Sequence, residues 1–242
     1  MATDTGIVGD LPARFYGVRG AVYRGVLAGT LVALAYLVVL AAYLALTSTD
    51  VIDVGRAGYP LVWFVTGAAA LAAVMAVDTT GRSDVAVGGC ASSSRRRTPP
   101  WAVAVAGGYV LLLAAVSGLV TLDAAGFGAA VTGALPGWGP IVLVDIGIVG
   151  IAIVPFQSVG YVVLGVLLAR ALAVRSGSLA AGVVGLFSCA GCVLPIVAAA
   201  ASAVGVPLFE GVGSYRLSTV AFVSAALLLA GVIVRGAGSC RR

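Results

Sequence analysis

Apolar residues fall in long runs separated by short polar stretches, and the length of each run decides what it can be. A helix rises 1.5 Å per residue, so roughly 20 consecutive apolar residues cross a ~30 Å hydrocarbon core. Five windows reach that length cleanly: Gly25 to Thr47, Ala57 to Val77, Trp101 to Thr121, Leu179 to about Ala203, and Leu217 to Val234. The first is longer than a signal-peptide core and begins after a mixed N-terminal segment, so it reads as a retained span. A further window, Ile141 to Ala169, would measure about 43 Å as one straight helix, too long for one upright crossing and too short for two. Pro155 supplies a break, so the outer part, carrying Asp145, is expected as a tilted or interfacial piece bent into the span proper. The pattern predicts an all-α integral membrane bundle of six transmembrane helices. The connection "LDAAGFGAAVTGALPGWGP" before the fourth span is expected as an outer loop, with Trp138 as an interface anchor.

Composition agrees with a membrane protein. The chain is 61% hydrophobic and 10% charged with a mean hydropathy of +1.15, values that leave too little charge for a soluble surface. Every basic residue is arginine, and with six spans the arginines sort by side. Arg14, Arg19 and Arg24 in the N-terminal tail, Arg82 and Arg95–Arg97 in the loop 78–100, Arg170 and Arg175 after the fourth span, and Arg235, Arg241 and Arg242 in the C-terminal tail fall on one side; Arg56 and Arg216 fall on the other. The positive-inside rule then places both termini in the cytoplasm of a multi-pass plasma-membrane protein, with 78–100 a flexible basic cytoplasmic loop. The net charge of +5 thus reports orientation and implies no nucleic-acid partner; the lipid bilayer is the partner composition demands. The chain has no histidine, which excludes haem by His ligation and Ser-His or Cys-His nucleophile pairs. With no Walker, Rossmann or hydrolase motif either, the reading leans away from an enzyme.

The candidate chemistry lies in "FSCAGCVLP". Cys189 and Cys192 are three residues apart in the fifth window, so on a helix they share a face, roughly 15 and 20 Å along from Leu179. Pro195 has no N–H for the carbonyl of Gly191 and loosens the turn that holds the pair. Three readings stay open: ligands for a soft ion such as Cu(I), a reversible disulfide, or small apolar packing. Counting back from Ala169 puts Gln157 about 18 Å and Pro155 about 21 Å from the cytoplasmic edge, level with the cysteines. Two broken helices would then meet at mid-membrane, with Gln157 and Ser158 facing a substrate. Asp145, the acid inside an apolar window, is a supporting candidate, and Cys90 and Cys240 could relay a metal on the cytoplasmic side. The glycine-spaced and alanine-rich runs mark close helix packing.

The span "SCAGCVLPIVAAAASAVG" resembles the cysteine-pair-then-proline spans of mercuric-ion and copper-handling membrane transporters, and more loosely those of membrane thiol-disulfide carriers. It departs from both, since mercuric transporters usually carry adjacent cysteines and the thiol carriers place theirs on different helices. Composition and span pattern also resemble multi-span membrane proteins of halophilic-archaeal type, some of them associated with respiratory oxidases. The resemblance implies transport or handling of a soft metal, Cu(I) first. The alternatives are a transmembrane thiol-disulfide carrier and a structural or permease-like subunit of a larger membrane complex, a respiratory oxidase among them.

Overall fold

The computed structural model describes residues 11–47, 54–83, 98–122, 126–174 and 212–237. Among them are five helices and one four-stranded antiparallel sheet, which overturns the expectation of an all-α, six-helix bundle. The helices are α1 (Leu11–Thr47), α2 (Val54–Ser83), α3 (Pro100–Val116), α4 (Pro155–Val174) and α5 (Val212–Ala237). The strands β1 (Val120–Thr121), β2 (Gly126–Thr132), β3 (Ile141–Gly147) and β4 (Val149–Ile153) form a sheet of order β1-β4-β3-β2.

The sheet occupies the connection expected as a loop and the outer part of the expected fourth span. Two local signals explain why. First, α3 stops at Val116, short of the expected Thr121, because Gly118 takes a left-handed φ of 76°. Its N–H donates to the carbonyl of Ala115 and the N–H of Leu119 to that of Ala114, a Schellman closure with Leu119 buried behind it. Second, Ile141–Ile153 is dominated by β-branched residues, which lose rotamer freedom in a helix and pack well on a pleated surface. Gly147, with φ 65°, opens the two-residue turn that pairs Ile146 with Val149, a position for which glycine is preferred. After β4 the N–H of Ser158 donates to the carbonyl of Val154 at 3.0 Å. Val154 therefore caps α4 and Pro155 is its first residue, where a missing N–H costs nothing. Pro155 starts a helix instead of bending one.

Among the described residues three helices are long and apolar enough to cross a membrane: Arg19–Thr47 in α1, Arg56–Val77 in α2 and Pro155–Ala173 in α4. Shorter apolar stretches lie in α3 and in α5, over Ser218–Val234. α1 and α2 are antiparallel: Gly25 meets Ala69 and Ala73, Gly29 meets Val65 and Ala69, and the Tyr36 hydroxyl reaches Ala57. A methyl group at Gly25 would stand 2.9 Å from the Ala69 carbonyl oxygen, so the glycine spacing lets the two backbones approach. α2 and α4 run parallel, with Trp63 over Gly160 and Gly67 against Val163. The core lies among α2, α4 and α5, around Trp63, Phe156, Leu164, Leu167, Phe222, Leu229 and Ile233. α1 is peripheral; 17% of its apolar window is buried, against 56% of that of α4.

Candidate functional site

Cys189, Cys192 and Pro195, with the expected span 179–203, lie outside the described residues, as do Cys90 and Cys240. The other expected site residues separate into two places. Pro155, Gln157 and Ser158 form the first turn of α4, where Gln157 and Ser158 are half-buried. α4 is 20 residues long, about 30 Å, so these residues stand at its sheet end and not halfway along it. Asp145 lies in the middle of β3, exposed, opposite Gly128 on β2 and Gly150 on β4. It is a sheet residue and does not join the α4 turn. Among the described residues no group of three His, Cys, Asp or Glu side chains comes together.

What the structure does assemble is a junction between the sheet cap and the bundle, built on Pro60. As the seventh residue of α2, Pro60 has no N–H to donate to the carbonyl of Arg56 one turn back. The indole N–H of Trp138, from the loop between β2 and β3, donates to that carbonyl at 2.6 Å. Beside it the Tyr36 hydroxyl of α1 lies 2.9 Å from both the Ala57 and the Pro136 carbonyl oxygens, so one phenol ties α1 to α2 and to the cap. The N–H of Phe156 completes the set by donating to the Gly137 carbonyl at 3.1 Å, satisfying one of the amides that a helix start leaves open.

From this junction a train of rings runs into the core. Trp138 packs edge-on against Phe156, centroids 4.8 Å apart; Phe156 meets Trp63 at 5.4 Å and 89°; Trp63 stacks on Phe222 of α5 at 4.1 Å and 5°, with Tyr161 at its edge, 5.7 Å away. Edge-to-face and stacked ring pairs each add roughly 0.5–1.5 kcal/mol beyond burial. The Trp63 indole N–H donates to Thr219 Oγ1 at 3.1 Å, leaving that buried donor satisfied. Gly160 is required beneath it, since a methyl group there would collide with the Trp63 ring. Chemically the junction holds no nucleophile or acid–base pair. It is a rigid clamp that fixes the cap on the helices, with the polar side chains of Gln157 and Ser158 at its margin.

The sequence pattern points to Trp138 as a membrane-interface anchor and to Pro155 and Pro195 as the residues that free a backbone carbonyl. The described structure uses that device at Pro60, whose position early in an apolar run was the available signal. Trp63, Tyr36 and Phe222 carried none beyond being aromatic in an apolar run. A family model described as a family of unknown function (DUF7546) matches residues 14–235, and the chain belongs to that family. No curated protein and no solved structure matches it.

Proposed function

We propose that this member of the family is a multi-pass plasma-membrane protein that handles a soft metal ion, Cu(I) first, through Cys189 and Cys192. The membrane part of the reading is supported by the outer faces of the helices. Val26, Leu27, Leu31, Leu34, Val38 and Val39 on α1 and Val159, Val162 and Val166 on α4 are exposed, a surface that suits lipid and not water. Orientation follows from charge: Arg19 and Arg24 lie at the start of the apolar stretch of α1, at the end away from the sheet, and Arg170 lies near the corresponding end of α4. The positive-inside rule makes that end cytoplasmic and turns the sheet outward.

The observation that carries the metal reading is the spacing of Cys189 and Cys192, three apart in an apolar run and three before a proline. Thiolates shielded from water suit a soft cation that offsets their charge. The geometry of α4 changes the role of the supporting residues. Gln157 and Ser158 serve the outer mouth of the bundle in this reading, not a midplane site. Purified protein is expected to bind Cu(I), and Cys189→Ser together with Cys192→Ser to abolish that binding. Equal Cu(I) bound per chain in both proteins would end the metal reading and leave the membrane reading standing.

A further inference from the structure

The two edges of the sheet are unequal. One is β1, two residues long and held at the end of α3. The other is β2, seven residues, "GFGAAVT", exposed along its whole length and, among the described residues, paired on one side only, with β3. An edge strand leaves a row of backbone donors and acceptors to be satisfied, and proteins blunt such edges with shortness, charge, proline or a bulge. β1 is blunted by shortness. β2 has no charge and no proline, and its register with β3 runs unbroken from Gly126↔Gly147 to Thr132↔Ile141, so it has no bulge.

We propose that β2 is the homodimer interface of this protein, pairing antiparallel with β2 of a second copy about a twofold axis at Ala129. The residues of the strand fit their own inverse. Centred on Ala129, the pairing sets Phe127 opposite Val131 of the other copy, twice, on one face. An aromatic opposite a β-branched residue is among the favourable cross-strand pairs. The alanines meet on the axis, where a large side chain would meet its own copy. On the opposite face Gly128 faces Ala130, and Gly126 faces Thr132. Charge permits the arrangement: Asp145, the nearest acid in the sheet, lies one strand in from the interface. The two Asp145 positions are then three strand spacings across and two residues along from each other, about 16 Å, beyond the screening length of physiological salt. The product is a continuous eight-stranded sheet, β1-β4-β3-β2-β2-β3-β4-β1, whose outer edges are the two-residue β1 strands. The self-match of the strand, with Phe127 opposite Val131 twice about the Ala129 axis, is what points to a second copy of this chain as the partner.

Disulfide crosslinking in isolated membranes, before any detergent, tests this. Single cysteines are placed at Ala129→Cys or Thr132→Cys in a chain with Cys90, Cys189, Cys192 and Cys240 replaced by serine. Opposed residues of antiparallel strands have Cα atoms about 4.5–5.5 Å apart, within disulfide reach, whereas the two Thr132 positions would be about 20 Å apart. Mild oxidation should convert A129C to a covalent dimer at least tenfold faster than T132C. Equal rates would mean random collision and overturn the proposal, as would no A129C dimer in a chain with wild-type helix content by circular dichroism. Light scattering of the unmodified protein in lipid nanodiscs supplies the second readout. Two copies of the 23.8 kDa chain per particle are expected, falling to one with Ala130→Pro; one copy for the unmodified chain contradicts the pairing.

Discussion

Residues Ile141–Ile153 and Pro155–Val174 are adjacent, almost uniformly apolar, and folded differently, the first as the β3–β4 hairpin and the second as the helix α4. Hydropathy does not separate them; local stereochemistry does. The hairpin segment carries Ile141, Val142, Val144, Ile146, Ile148, Val149, Ile151 and Ile153, with Gly147 at the turn. From its midpoint on, the helix carries Leu164, Leu167, Leu168, Ala169, Ala171, Leu172 and Ala173, residues that lose little freedom in a helix. The two also stand differently toward solvent. A helix satisfies its own backbone and can face hydrocarbon, while an open sheet edge cannot. An exposed apolar residue on α4 such as Val162 therefore suits lipid, whereas one on an open sheet edge such as Phe127, 86% exposed, does not.

Disrupting the helical side should cost most. Trp63→Ala removes the ring shared by α2, α4 and α5, and is expected to destabilise the protein by about 3–5 kcal/mol, read as a lower midpoint in denaturant titration in detergent. Gly25→Val drives a side chain into the Ala69 carbonyl of α2 and should cost about 1–3 kcal/mol. The same titration reads it, with α1 loosening before the core. Tyr36→Phe removes the hydroxyl that ties the cap to α1 and α2. About 1 kcal/mol is expected, and hydrogen exchange should accelerate across 133–140 while the α4 amides stay protected; equal acceleration in α4 would mean that cap and bundle open together. The smallest effect is the sharpest test of the boundary. At the first position of α4, Pro155→Ala should change stability by less than about 1 kcal/mol, whereas relieving a mid-helix proline would stabilise the chain by about 3 kcal/mol.

The helices were legible because an apolar run of the right length has few alternatives. The expected Gly25–Thr47 and Ala57–Val77 fall inside α1 and α2. The window 141–169 is too long for one span, and hydropathy alone suggests a helix bent near Pro155, where the structure has a hairpin that ends before a new helix. The signals for a hairpin were the β-branched run and Gly147, and for the end of α3 Gly118, each a local backbone preference outweighed by the length rule. The junction was less legible still. That Trp138 would find the Arg56 carbonyl depends on a contact across 82 residues, which no periodicity encodes. The expected thiol site falls on residues 175–211, outside those described.

At Pro155 the chain passes from sheet to helix, and site-directed spin labelling reads that change residue by residue. Single cysteines through 141–174, in a background lacking the four native cysteines, report accessibility to a water-soluble relaxation agent and to oxygen. A period of two residues with aqueous access over 141–153, changing after Pro155 to a period of about 3.6 with oxygen access, is the predicted result. A single period of about 3.6 running unbroken from Ile141 to Ala169 would contradict it.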